Sequence, residues 1–164
     1  MKAGKTNKRL TIEFEEYAGI SALPESDLEL LQGAIKERDN AHAPYSGFRV
    51  GASAMLENGL RVAGSNQENA SFPAGLCAER VTLFTAMGSH PGVRVNSLAV
   101  SAQNKSDNLA GPVYPCGFCA QVLVDLEERQ QSDIRIILGA DKGAVIVLHS
   151  AKSILPFFFS SKEL

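Results

Sequence analysis

Two hydrophobic periods alternate along the chain. Residues 11–17 (TIEFEEY) switch between apolar and polar positions and read as a short added strand. Ser26 and Glu29 have capping-box spacing, and Leu28, Leu31 and Ile35 form the apolar stripe of a helix over 25–40. Phe48, Val50, Ala52 and Ala54 alternate with Arg49, Gly51, Ser53 and Met55, which gives a strand. Asn58-Gly59 follows, a hairpin signal because both residue types tolerate positive φ, and the returning strand covers 60–66. Leu76, Leu83, Phe84 and Met87 lie along one side of a second helix over 73–87, ended by Gly88. A strand at 95–102, a polar loop at 105–111, a helix at 117–130, strands at 134–138 and 144–148 and a short terminal helix complete the chain. Helices alternating with strands after an initial hairpin predict an α/β fold, a three-layer α/β/α sandwich around a mixed, mainly five-stranded sheet.

Size and charge narrow the picture. The 164 residues, 45% hydrophobic and 21% charged, suit one globular domain with a sizeable core. No repeat or composition break divides the chain; residues 25–164 are expected to form a single domain, with 1–24 a partly disordered N-terminal extension. The net charge of −2, with no dense basic run, argues against nucleic acid as a partner. Lys2, Lys5, Lys8 and Arg9 are the only basic cluster, and without an adjoining apolar stretch they read as a solvated tail. No stretch approaches the roughly 20 apolar residues that span a bilayer. The expectation is a soluble, cytoplasmic protein with no membrane partner.

The cysteines redirect the reading toward chemistry. There are three, Cys77, Cys116 and Cys119, an odd number that does not suit a disulfide framework. Cys116 and Cys119 stand three apart at a helix start, so both sulfurs can reach one ion, and the free N–H groups there favour thiolate. Alone this C-x-x-C is ambiguous between zinc, redox chemistry and chance. Cys77, near another predicted helix start behind Pro73-Ala74-Gly75, shifts the balance to a metal. In mid-helix Cys77 and Glu79 would stand about 200° apart; in a first turn both can point off the helix end. Three thiolates leave a fourth tetrahedral position open, the mark of a catalytic zinc whose water loses its proton near neutral pH. Glu79, two residues after Cys77, is placed to shuttle that proton. C-x-E together with P-C-x-x-C is the pattern of zinc deaminases in their three-thiolate form. Two alternatives stay open: a structural site completed by His42, His90 or His149, and three inert buried thiols.

Residues 44–52 (PYSGFRVGA), 64–80 (GSNQENASFPAGLCAER) and 115–123 (PCGFCAQVL), with the 155–159 segment LPFFF, resemble in order and spacing the signature blocks of the small homotetrameric cytidine deaminases. The resemblance extends over roughly residues 25–164. It implies one Zn²⁺ per subunit on Cys77, Cys116 and Cys119, with Glu79 as proton shuttle. It further implies that Asn66 and Glu68 hold a ribose, chiefly its 3′-hydroxyl, that Phe48 walls the pyrimidine, and that Phe159 reaches a neighbouring subunit's site. Arg80 resembles the arginine that offsets thiolate charge in that family. Ala120 stands where arginine is common and Phe72 where tyrosine is frequent; both departures bear on substrate preference and interface contacts. The implied reaction is hydrolysis of cytidine or deoxycytidine to the uridine product and ammonia, as in pyrimidine salvage, by a homotetramer with a nucleoside partner. Competing readings are a deaminase of a related aminopyrimidine nucleoside such as blasticidin S and a non-catalytic zinc-stabilised binding module.

Overall fold

The structure, a computed structural model, describes residues 4–106, 109 and 111–164. Residues 1–3 of the stretch expected to be disordered, and 107, 108 and 110 of the expected polar loop, lie outside the described residues. The strands are β1 (Glu15–Tyr17), β2 (Arg49–Leu56), β3 (Arg61–Ser65), β4 (Val95–Gln103), β5 (Arg135–Leu138) and β6 (Val145–Leu148). The helices are α1 (Glu25–Glu37), α2 (Ala78–Ser89) and α3 (Gly117–Gln130).

One mixed six-stranded sheet runs in the order β1-β6-β5-β4-β2-β3. The sixth strand is β1, three residues antiparallel to β6 at the sheet edge. The other five match the expected mainly five-stranded sheet. Helices cover both faces, and the strand residues divide between them by alternation. Leu98, Val100, Ile136, Leu138, Ile146 and Leu148 turn toward α2 and α3. Ala99, Ile137, Val145 and Val147 turn toward α1, where Leu30, Leu31 and Ala34 meet them. Burying each such aliphatic side chain contributes roughly 1.5–3 kcal/mol, which makes these two layers the main hold on the sheet.

Three local expectations are corrected. The Ser26–Glu29 capping box does not form: Pro24 occupies the cap position of α1 without a side-chain hydrogen bond, and Glu29 pairs with Arg61. Glu25 and Asp27 in the first turn supply the negative charge favoured at a helix start. At the hairpin only Gly59 takes positive φ, +83°, while Asn58 accepts the Leu60 N–H on its side-chain oxygen. The second helix begins at Ala78 rather than 73, because Phe72–Ala74 is a separate 3₁₀ turn and the Leu76 backbone is committed elsewhere. Leu76 and Gln67 exchange two backbone hydrogen bonds, 2.9 and 3.0 Å, which hold Leu76 extended.

Chain direction explains why the site forms where it does. β3 and β4 are both antiparallel to β2, so they run the same way and end on the same side. α2 follows β3 and α3 follows β4, which sends both helix N-termini to that one side. Gly64 of β3 lets α2 lie close: a Cβ there would come 2.8 Å from Val81 and 3.2 Å from the Thr82 nitrogen. The side outside the carboxyl ends of such strands is where open α/β sheets bind ligands.

Candidate active site

Cys77 caps α2, Cys116 caps α3 and Cys119 is the third residue of α3. The three sulfurs lie within 4.8 Å of one another. Cys77 Sγ is 3.9 Å from Cys116 Sγ, and Cys116 Sγ is 3.5 Å from Cys119 Sγ. Neither cap residue offers its N-terminal turn a side-chain hydrogen bond, so both positive helix ends face the sulfurs. The hydrogen bond with Cys119, then Arg80 and Cys116, holds the Cys77 thiol down to about 5, against the opposing effect of burial. The same hydrogen bond, followed by burial, pushes the Cys119 thiol up.

Glu79 lies in the first turn of α2 and is 4% exposed. Burial raises its carboxyl above the ordinary range, and the Cys77 charge beside it adds to that. Arg80 follows, with its guanidinium against Cys77 and Cys119 and its Nη2 3.5 Å from the Gly75 carbonyl. Its Nε is buried without a partner among the described residues, and its guanidinium carbon is 5.8 Å from the Phe118 ring centroid.

A cavity of ≈ 630 Å³ opens beside these groups, lined by Cys77, Cys116 and Glu79 on one side and Phe48, Asn66 and Glu68 on another. Its volume is in the ordinary range for a small-molecule site. Asn66 also fastens the start of β2, accepting the Val50 N–H at 2.7 Å and donating to the Phe48 carbonyl at 2.9 Å. Glu68 accepts the Ser46 hydroxyl and the N–H groups of Tyr45 (2.9 Å) and Ser46 (3.3 Å). These contacts, the Ser46 hydroxyl first, lower its carboxyl below the usual range despite partial desolvation. Phe159 stands apart from the cavity lining and is 59% exposed; its backbone N–H and carbonyl pair with the Gln121 side chain at 3.3 and 2.7 Å. Of the two departures, Ala120 is fully buried, and Phe72 lies at the cavity with its ring edge-on to Tyr45 at 5.7 Å.

Residues 24–131 match the family model described as the cytidine and deoxycytidylate deaminase zinc-binding region. The chain belongs to this family. A cytidine deaminase of Halalkalibacterium halodurans is 36% identical over 136 residues, 82% of this chain and 95% of that one. One of Sporosarcina psychrophila is 36% identical over 137 residues, 83% and 93% of the two chains. The crystal structure of cytidine deaminase from Burkholderia pseudomallei is similar, with TM-score 0.69 and 34% identity, over 84% of this chain and 100% of that one. This member of the zinc-binding deaminases is therefore an enzyme whose cofactor is zinc.

The residues present fit that ion. Sulfurs bound about 2.3 Å from one tetrahedral zinc stand about 3.8 Å apart, close to the two separations found here. The Arg80 guanidinium, whose Nε is buried and unpaired among the described residues, sets a positive charge next to a donor set that would carry excess negative charge once metallated.

Sequence reasoning did not find the loop that joins the two halves of the cavity. Gln67 bridges both His42 and Leu76, and the Glu68 N–H donates to the His42 carbonyl at 2.8 Å. This small pairing sets Glu68 beside the Tyr45–Ser46 turn and delivers the chain to Cys77. Its only signal in the sequence is the polar run Asn66–Asn69, which reads equally well as a strand-end turn.

Proposed function

We propose that the protein hydrolyses cytidine and deoxycytidine to uridine and deoxyuridine with release of ammonia, as a cytoplasmic homotetramer serving pyrimidine salvage. The observation that carries this reading is that one cavity is lined by thiols, a buried carboxylate and a second, sugar-type carboxylate–amide pair. Residues 25–164 are the catalytic domain in this proposal, with 1–24 as an extension.

Cys77, Cys116 and Cys119 would hold the zinc, which supplies a water acidified toward neutral pH. Glu79 would accept one proton of the attacking water and hand it to N3 of the ring. It would then carry the remaining hydroxyl proton to the amine, which leaves as ammonia while C4 becomes a carbonyl. Burial, which raises the Glu79 carboxyl above its ordinary range, favours its holding a proton for transfer. Phe48 bounds the base, and Asn66 and Glu68 take the sugar hydroxyls as donors and acceptors. Arg80 offsets thiolate charge.

The tetramer has support in the exposed aromatics Phe72, Phe118, Phe157 and Phe159, of which Phe157 is 87% and Phe118 77% exposed. Light scattering tests it, since a stable active monomer would contradict a shared-site role for Phe159. Among the described residues no helix is long and apolar enough to cross a membrane.

The test of activity is ultraviolet absorbance of zinc-quantified protein with cytidine, deoxycytidine and blasticidin S. Loss of the cytidine band with stoichiometric ammonia supports the proposal. Turnover of blasticidin S alone overturns the substrate, and silence on all three makes the site a binding module.

A further inference from the structure

The Ser46 hydroxyl connects two parts of the cavity wall. It donates to Glu68 Oε1 and accepts the Phe48 N–H at 2.9 Å, so a single oxygen touches both the carboxylate and the backbone that carries the aromatic wall. Glu68 Oε2 already accepts two backbone N–H groups, from Tyr45 and Ser46. A carboxylate has about four lone-pair directions. Three are taken here, and the one left is on Oε1, the oxygen that Ser46 holds.

We propose that Ser46 is a positioning residue that fixes Glu68 Oε1 as the single acceptor for a substrate sugar hydroxyl, and thereby sets the enzyme's preference for hydroxylated sugars. The proposal rests on the reading of Glu68 as a sugar ligand. Without the Ser46 hydroxyl, Glu68 keeps its two Oε2 contacts but Oε1 is free to swing about them. The Phe48 amide loses its acceptor in the same change, so a general loosening of the wall has to be separated from a loss of sugar anchoring.

The separating probe is 2′,3′-dideoxycytidine, which presents the same base on a sugar without the 2′- and 3′-hydroxyls. KM and kcat are measured on zinc-loaded protein for Ser46→Ala, Glu68→Gln and the double variant, with cytidine and with dideoxycytidine. Expected for Ser46→Ala is a KM for cytidine raised about tenfold, the worth of one hydrogen bond to a charged group, with kcat within about twofold. With dideoxycytidine the rise should vanish. In the Glu68→Gln background Ser46→Ala should add little, because both act on one contact. Ser46→Thr, which keeps the hydroxyl, should restore the cytidine KM, and thermal unfolding identifies any variant that fails to fold.

An equal loss on cytidine and dideoxycytidine for Ser46→Ala, with Glu68→Gln still losing affinity for cytidine alone, would overturn the role of Ser46 and leave Glu68 in place. If both variants lose equally on the two nucleosides, the sugar-ligand reading of Glu68 fails and takes the proposal with it.

Discussion

Toward the β1 edge of the sheet, Arg135 gathers Asp27 of α1 at 2.8 Å and Glu15 of β1 at 3.1 Å, and His149 Nε2 stands 2.8 Å from the same Glu15. Outside the ends of β3 and β4, Arg80 faces the thiols of Cys77 and Cys119 and a buried glutamate. Both clusters set one arginine against several acidic groups from separate elements. In the first, each carboxylate meets a cation or a hydroxyl, and the Tyr17 hydroxyl closes the last side of Glu15. In the second, acidic groups crowd one another, and the arginine keeps a buried nitrogen with no partner among the described residues. Complete pairing holds elements together. Like groups pressed together at a cavity, with shifted proton affinities, mark a place prepared for a ligand.

Four changes test the contrast, beginning with the largest effect. Cys119→Ala should abolish both zinc retention and turnover, read by elemental analysis and ammonia release, with the fold intact by circular dichroism. Retained zinc at one ion per chain would place the metal elsewhere. Glu79→Gln should keep the metal and lower kcat by about 10²–10⁴-fold. Near-native activity in zinc-loaded protein would remove Glu79 from the proton path. In the closed cluster the order reverses. Arg135→Ala should leave KM and kcat unchanged but lower unfolding free energy by roughly 2 kcal/mol, as Asp27, 6% exposed, loses its charged hydrogen bonds. Arg135 keeps 28% of its side chain in water, which limits the loss.

The smallest effect is a pH effect. Hydrogen bonds from Arg135 and then Tyr17 hold the Glu15 carboxyl down to about 2, from 4.5 in an unstructured chain. Its folded pKa is depressed, so its stabilisation is present above 4.5 and disappears as pH falls from there toward 2. Glu15→Gln should flatten that part of the urea-midpoint profile against pH and leave neutral-pH activity alone. An unchanged profile would mean the Arg135 cluster contributes nothing through Glu15.

What the sequence disclosed follows from how local each signal is. The limits of α3, at Gly117 and Gln130, match the expected helix, because its punctuation is contained within the segment itself. The three cysteines pointed to one ion because spacing at a helix start is also local. The late start of α2 was hidden: Pro73 and Gly75 favour a helix entry there, yet Leu76 is drawn into pairing with Gln67, nine residues away. The second task of Asn66, fastening Phe48 and Val50, was equally hidden, since it depends on a partner strand that alternation locates but does not register. The Ser26–Glu29 spacing misled because Pro24, one residue outside the helix, had already set its entry.

The three residues of β1 have a practical bearing on how this protein is handled. The match to the family model runs from residue 24 to residue 131 and ends before β5 and β6. A chain cut to those limits would lack two strands that build its own core, so the segment matched by the family model falls short of the folding unit. Trimming only the first 23 residues would be subtler. It would strip β1 from β6, bare a row of unsatisfied backbone groups beside Val145–Leu148, and leave a four-residue apolar strand free to recruit other chains into aggregates.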